Sequence, residues 1–252
     1  LLKLRFASPD LLVDINNIAA LRYHHIDAGG ALRIGALCRH EDLEQSTIVS
    51  TTQPTIAAAA RLVADPIVRT RGTFVGSVCH ADPQGDWAAC MVALDGHIVA
   101  RGPRGTRTIK VREFVTGPFQ NVLDYDELAI EAVVPAPSGV AYGGYLKLER
   151  RVGDFATAAV AVALEISGGA VTKAGIALTG VGGTTVHAAE ASAALVGKPL
   201  TPATIDAAAA IAAAAANPRS DHRGSATYKR HIIQTFTARV LRGIADSNEK
   251  AA

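Results

Sequence analysis

In the first half of the chain, the pattern of hydrophobic and polar positions follows the period of a strand in some stretches and that of a helix in others. Short apolar runs at 11–15 (LLVDI) and 31–38 (ALRIGALC) are typical of strands, and the run at 53–65 (QPTIAAAARLVAD) is typical of a helix. The same reasoning predicts strands at 106–115 and 127–135. The first half therefore predicts strands interleaved with helices.

The pattern changes at the stretch PAPSGVAYGG (135–144), which combines two prolines with three glycines. That composition predicts a linker, so we divide the chain into a first domain of residues 1–137 and a second of residues 138–252. In the second domain, two extended runs within 155–183 are joined by a Gly-Gly turn, which predicts an antiparallel pair, and three helices follow. The predicted fold class is α+β, with a small antiparallel sheet and helices in the C-terminal domain.

Composition excludes several classes of function. The 252 residues carry a net charge of +2, so no strongly charged surface for nucleic acid or membrane is indicated. The three cysteines, Cys38, Cys79 and Cys90, form neither a disulfide framework nor an iron–sulfur pattern, which predicts a cytoplasmic protein. The longest apolar run, at 207–216, is too short to cross a bilayer, so we expect no transmembrane segment.

The stretch RTRGTFVGSVCHADPQGDW (69–87) is the strongest candidate for a binding site. Gly72 and Gly76 allow a close backbone approach, and Asp86 lies in the first turn of a predicted helix. A carboxylate there either complements the helix dipole or accepts hydrogen bonds from sugar-like hydroxyls. On spacing alone, a plain tight turn before a capped helix is the favoured interpretation, because short glycine patterns are weak evidence.

Other groups of polar residues leave two interpretations open. The segment LKLERRVGDF (146–155) is either a solvated edge strand or a segment whose Lys147 faces a ligand cleft. The segment SDHRGSATYKRH (220–231) favours an ion-pair network, with a docking surface as the alternative. No catalytic triad, paired-carboxylate site or metal-ligand spacing can be assembled, so neither a catalytic residue nor a metal ligand is predicted.

Six stretches occur in order along the chain: LLKLRFASPDLLVDINNI, IGALCRHEDLEQS, DPIVRTRGTFVGSVCHADPQGD, GPRGTRTIKVREFVTG, YLKLERRVGDFATAAVAV and DHRGSATYKRH. Together they resemble the FAD-binding medium subunit of molybdenum hydroxylases, most closely the aerobic carbon monoxide dehydrogenase type. The resemblance covers nearly the whole chain and implies an FAD-binding domain of the PCMH type, followed by a C-terminal domain of the carbon monoxide dehydrogenase flavoprotein type.

The resemblance also implies which residues bind FAD. The family's flavin and pyrophosphate loop matches Thr73, Phe74, Val75, Gly76 and Ser77, and the family aspartate that reaches the ribityl side of FAD matches Asp86. The family lysine matches Lys147, a position near the flavin ring matches Ala129, and an aromatic position matches Phe155. We expect the 73–77 loop and Asp86 to line a cleft between the domains, with Lys147 on the opposite wall.

Two departures from the family pattern weaken the expected FAD site. Val75 stands where the family has a glycine, and a β-branched residue tolerates positive φ poorly and would put methyl groups against the cofactor. Position 75 is then extended, or the flavin lies differently or binds weakly. The family's second glycine loop, which precedes the LLKLRF equivalent, does not occur in the sequence. We therefore expect this chain to bind FAD weakly or not at all, and we expect the second loop, when restored, to rescue binding and Val75→Gly to strengthen it further.

The resemblance implies an electron-transfer subunit of a heteromeric oxidoreductase. A small subunit with two [2Fe-2S] clusters would pass electrons through FAD to an external acceptor, and a large subunit with the molybdenum cofactor would oxidise the substrate. The expected assembly is a dimer of heterotrimers in the cytoplasm, with the inner face of the membrane as an alternative place. Two other functions are a flavin-free structural subunit of such a complex and a stand-alone flavoprotein reductase.

Overall fold

The structure is a computed structural model that describes residue 4 and residues 8–251, so part of the first family-like stretch lies outside the described residues. The helices are α1 (His40–Glu44), α2 (Thr47–Thr52), α3 (Pro54–Ala60), α4 (Pro66–Arg69), α5 (Phe74–His80), α6 (Asp86–Ala93), α7 (Val111–Phe114), α8 (Ala189–Leu195), α9 (Pro202–Ala215) and α10 (Ala226–Ala251). The strands are β1 (His24–Ile26), β2 (Leu32–Gly35), β3 (His97–Gly102), β4 (Gly105–Lys110), β5 (Val115–Gly117), β6 (Gln120–Asn121), β7 (Leu128–Val134), β8 (Val140–Leu148), β9 (Ala158–Ser167), β10 (Ala170–Thr179) and β11 (Val186–His187).

Two antiparallel sheets organise the fold, and α6 lies between them. The first sheet has the strand order β1-β2-β7-β3-β4, and the second has the order β11-β10-β9-β8. Every residue of α6 is buried, and the helix packs against β9 and β10. Gly175 of β10 permits this contact, because a Cβ there would lie 1.8 Å from the carbonyl oxygen of Ala93. The N-terminus of α6, which carries Asp86, is held close to the second sheet by Thr179 of β10, whose hydroxyl donates to the Gly85 carbonyl oxygen at 2.8 Å.

The second sheet confirms the antiparallel pair predicted from the sequence. Strands β9 and β10 are joined at Gly168 and Gly169, which have φ values of +57° and +77°. Two consecutive residues with positive φ are typical of a tight hairpin turn, and glycine adopts them without strain. Helices α8, α9 and α10 pack together and cover this sheet, so the predicted α+β class is confirmed.

Three element predictions from the first half need correction. Residues 11–15 are not a strand, and Leu11, Leu12 and Val13 are 69–76% exposed, because an apolar run without a partner strand has no sheet to join. The predicted strand at 106–115 is divided by α7. The predicted helix at 53–65 ends as α3 at Ala60, and the chain then turns at Ala64, whose φ is +53°.

Candidate cofactor-binding cavity

A cavity of about 340 Å³ opens where α5, the N-terminus of α6 and the segment after β8 meet. Thr73, Gly76 and Ser77 line it from α5, Asp86 lines it from α6, and Phe155 lines it from the opposite side. The volume lies within the range of small-molecule sites, which is about 300–1,000 Å³. The fold therefore brings residues from both sides of the predicted linker to one cavity.

The wall formed by α5 presents small and polar groups to the cavity. Thr73 caps the helix, and its hydroxyl accepts a hydrogen bond from the Gly76 amide at 3.2 Å. A Cβ at Gly76 would lie only 2.6 Å from that hydroxyl oxygen, so the cap and the glycine depend on each other. Bare backbone next to Ser77 is left facing the cavity.

Val75 has a different environment from the one expected. It is helical within α5, does not have positive φ, and its side chain is 2% exposed in the apolar core with Phe74 and Val78. Helical periodicity turns these three side chains away from the face that carries Gly76 and Ser77. The expectation that position 75 is extended is therefore wrong, and the methyl groups of Val75 face the core and not the cavity.

Asp86 is a buried carboxylate with fixed partners. Its Oδ1 accepts a hydrogen bond from the Tyr145 hydroxyl, and its Oδ2 lies 3.3 Å from Lys147 Nζ. Burial raises the pKa of Asp86, and the Lys147 ammonium and the Tyr145 hydroxyl oppose that rise. The carboxylate is thus oriented before any ligand arrives.

Lys147 lies behind the cavity wall and is fully buried, at 0% exposure of its side chain. Its Nζ donates to the carbonyl oxygens of Leu62 and Asp154, the second at 3.1 Å, and lies 3.2 Å from a carboxylate oxygen of Glu149. The structure does bring Lys147 to the site. It lies there as an internal support that joins Asp86 to the segment around Asp154, not as an exposed group on the opposite wall.

The nine residues implied by the resemblance fall into two sets. Phe155 is 48% exposed at the cavity, whereas Ala129 is 4% exposed on β7, where it pairs with Ala100. The residues that line the cavity are Thr73, Gly76, Ser77, Asp86 and Phe155. The residues buried behind it or in the apolar core are Phe74, Val75, Ala129 and Lys147.

His40 also lines the cavity, although no pattern in the sequence points to it. The residue is 5% exposed, and its Nδ1 accepts a hydrogen bond from the indole N–H group of Trp87 at 3.0 Å. Burial, with the nearby charges of Arg69 and Arg39, lowers the pKa of His40 to about 4. Trp87 follows Asp86 directly, but nothing in the sequence links it to a histidine so far upstream.

The charged segment 220–231 supports the cavity from within the chain. Arg223 donates to both carboxylate oxygens of Asp154, at 3.0 and 3.2 Å, and to the carbonyl oxygen of Phe155 at 3.1 Å. Asp221 pairs with the buried Lys229 at 2.7 Å. These contacts agree with the ion-pair interpretation, and a docking role for this segment stays a prediction.

Within residue 4 and residues 8–251, no group of three or more His, Cys, Asp or Glu side chains is arranged to hold a metal ion. In the same described part of the chain, no helix has both the length and the apolar character needed to cross a bilayer. Burial raises the pKa of Cys38 and of Cys79 to about 12, so neither thiol is a reactive thiolate near neutral pH.

Two family models match the sequence. The FAD binding domain in molybdopterin dehydrogenase matches residues 1–137, and the CO dehydrogenase flavoprotein C-terminal domain matches residues 144–244.

Individual relatives are similar over nearly the full chain. The carbon monoxide dehydrogenase medium chain of Hydrogenophaga pseudoflava is 39% identical over 96% of this chain and 84% of its own length. The glyceraldehyde dehydrogenase medium chain of Sulfolobus acidocaldarius is 34% identical over 97% of this chain and 86% of its own. A solved structure of the Hydrogenophaga carbon monoxide dehydrogenase superimposes with a TM-score of 0.91 at 41% identity, covering 96% of this chain and 84% of that one.

Proposed function

We propose that the cavity between Ser77, Asp86 and Phe155 is the FAD site. The chain belongs to the family of FAD-binding medium subunits of molybdenum hydroxylases. Family membership makes the chain an oxidoreductase subunit of the carbon monoxide dehydrogenase-like type, with FAD as its cofactor. One observation carries the proposal. Residues from the ranges of both family models line the same cavity.

The residues at this cavity fit a dinucleotide. Gly72, Gly76 and Gly153 line it, and a Cβ on any of them would lie 2.6–2.9 Å from a neighbouring atom. The three glycines leave bare backbone at the cavity surface, where phosphate oxygens can approach closely. The Asp86 carboxylate accepts hydrogen bonds, and the ribityl chain of FAD carries hydroxyl groups that donate them.

Each predicted site residue takes a role in this proposal. The cavity side of the 73–77 segment holds the pyrophosphate, Asp86 orients the ribityl chain, and Phe155 covers the flavin ring. Lys147 holds Asp86 in place through its buried ammonium group. Phe74, Val75 and Ala129 shape the wall from the core behind it.

Bound FAD would take electrons from the iron–sulfur clusters of a partner subunit and pass them to an external acceptor. We propose that this chain supplies orientation and a partly dry environment, in a dimer of heterotrimers with an iron–sulfur small subunit and a molybdenum large subunit. The cytoplasm is the proposed location, with the inner face of the membrane as the alternative. Relatives named for carbon monoxide, glyceraldehyde and nicotine share this type of chain, so we assign the choice of substrate to the large subunit.

The two other functions are less well supported. A flavin-free structural subunit would not need the glycine-lined cavity, and the matching family model is an FAD-binding domain. A stand-alone reductase would not be expected to resemble medium chains of multi-subunit enzymes.

Filling the cavity tests the proposed site. Ser77→Trp places a large side chain in it, so we expect FAD affinity, followed by flavin fluorescence, to fall more than tenfold. Ser50→Trp is the matched control, because Ser50 is exposed on α2 away from the cavity, and it should bind FAD like the wild type. Equal affinities for all three proteins would contradict the site.

Assembly is tested by co-expression with iron–sulfur and molybdenum partner subunits. We expect a stable complex with one FAD per medium chain, whose flavin absorbance falls when the substrate of the complex is added. A chain that purifies alone and free of flavin under these conditions would contradict the proposed function.

A further inference from the structure

We propose that His40 binds the FAD directly, through its Nε2–H group, as a neutral hydrogen-bond donor to an acceptor oxygen of the phosphate–ribityl chain. The inference rests on the proposed function, because it assigns a further ligand residue to the same cavity. It adds a residue from α1, an element that none of the predicted site residues belongs to.

The hydrogen bond from Trp87 determines which nitrogen of His40 carries the proton. An indole N–H can only donate, so His40 Nδ1, 3.0 Å away, must be the acceptor. A neutral imidazole then has its one hydrogen on Nε2. Trp87 is itself fully buried and packs against Phe74, with ring centroids 4.6 Å apart, so this orientation of the imidazole is anchored in the core.

The second nitrogen of His40 points towards the glycine-lined wall. A Cβ at Gly72 would lie 2.6 Å from His40 Nε2, so the ring can occupy this position only because residue 72 is a glycine. The backbone reinforces the arrangement, since the His40 amide donates to the Gly72 carbonyl oxygen at 3.1 Å. Gly72 and Thr73 both line the cavity, which places Nε2 beside the proposed pyrophosphate segment.

The Nε2–H group is available to a ligand. Among residue 4 and residues 8–251, the only side-chain hydrogen bond of this ring is the one from Trp87. Among the described residues, His40 Nε2 is not one of the buried side-chain atoms that lack a partner, so it reaches the cavity, where a ligand oxygen can accept from its N–H group. The geometry thus offers a donor of fixed direction at the edge of the cavity.

Burial and two arginines keep this donor uncharged. Arg69 and Arg39 are the charged groups that, with burial, lower the pKa of His40 to about 4, and Asp86 lines the same cavity. At neutral pH the ring therefore contributes a directed hydrogen bond and not an ion pair. A purely structural histidine, satisfied by Trp87 alone, is the alternative.

Flavin titration of variants separates the two roles. His40→Phe keeps a ring but removes both the Nε2–H donor and the acceptor for Trp87, so FAD should bind about tenfold more weakly, as expected for one lost hydrogen bond to the ligand. His40→Gln retains an amide donor and should recover affinity to within about threefold of the wild type. His24→Phe is the matched control, because His24 bonds Ser46 at 2.9 Å outside the cavity, and its affinity should be unchanged.

A measurement on the wild-type protein gives a second test, which does not depend on whether a variant folds. In protein labelled with ¹⁵N-histidine, the Nε2 proton of His40 should become protected from exchange with water when FAD is added, while Nδ1 stays unprotonated. An unchanged Nε2 signal, together with wild-type affinity of His40→Phe, would overturn the inference and leave the FAD site intact. Wild-type protein that binds no FAD would overturn the proposed function as well.

Discussion

The two walls of the cavity are held in place by different forces. The wall of α5 is anchored by apolar packing, with Phe74, Val75 and Val78 no more than 2% exposed. The opposite wall, residues 153–155, is anchored by charged groups from elsewhere in the chain, mainly Lys147 and Arg223. The first wall is therefore part of the core, whereas the second is a surface segment tied down at a few polar points.

This difference predicts how each wall responds to change. Apolar packing is spread over many contacts, so a substitution in the first wall should cost stability in proportion to the buried volume removed. The second wall has only a few charged contacts, so a single substitution there removes one of them completely. The contacts of the buried Lys147 should contribute far more to stability than the ion pair of Arg223 with Asp154, because solvent screens the more exposed pair.

Removing the buried ammonium of Lys147 should have the largest effect. Lys147→Met leaves Asp86 and Glu149 as buried carboxylates without their cation, which costs about 3–5 kcal/mol of unfolding free energy. Urea unfolding of the wild type and the variant measures this.

Lys173→Met is the control for that experiment. Lys173 pairs with Glu165 at 3.5 Å but is 48% exposed, so the loss should be at most about 1 kcal/mol. Similar losses for the two variants would show that burial does not make the Lys147 contacts more important than an exposed ion pair.

Val75→Gly tests the first wall and reverses the expectation drawn from the sequence. Removing a buried valine side chain costs about 2 kcal/mol, and glycine adds about 1 kcal/mol in a helix. FAD affinity should not rise, because the side chain faces the core. Urea unfolding measures the free energy of unfolding, and flavin titration measures the FAD affinity. Val75→Ala is included in both as an intermediate between the wild type and Val75→Gly. A stable variant with tighter FAD binding would restore the original interpretation.

The sequence predicted the first wall better than the second, for a physical reason. The glycines, the Thr73 cap and Asp86 lie within one short stretch, so local spacing and family resemblance both identify them. The orientation of Val75 was missed because the α5 register depends on where the helix begins, and one residue decides which side chains face the core.

The second wall depends on contacts between distant parts of the chain. Arg223 reaches Asp154 across 69 positions of sequence, and no local pattern encodes such a pair. The same limit applies to His40 and Trp87, which are 47 positions apart. The sequence did show that segment 220–231 carries charges suited to an ion-pair network, but it could not show what the network supports.

Acid should lower the free energy of unfolding through His40. The folded-state pKa of about 4 lies below the usual value of 6.5, so between these pH values the unfolded chain binds a proton that the folded protein does not. Stability is therefore lost as pH falls below about 6.5, by about 2 kcal/mol at pH 5. Urea unfolding at pH 7 and pH 5 should show this extra loss in the wild type but not in His40→Gln. Parallel losses in both proteins would assign the acid sensitivity to other groups.

The smallest expected effect belongs to Arg223, and it should be local. Arg223→Gln removes the bonds to Asp154 and should lower overall stability only slightly, because Asp154 is partly exposed. The second wall should nevertheless loosen, since Arg223 also holds the Phe155 carbonyl. Trypsin should then cut after the exposed Arg150 or Arg151 several-fold faster, and bound FAD should slow the cleavage. Arg242→Gln is the matched control, because Arg242 pairs with the exposed Asp206 far along the sequence from these sites. Cleavage at the same rate in both variants would show that the second wall, like the first, is held by packing and not by its charged contacts.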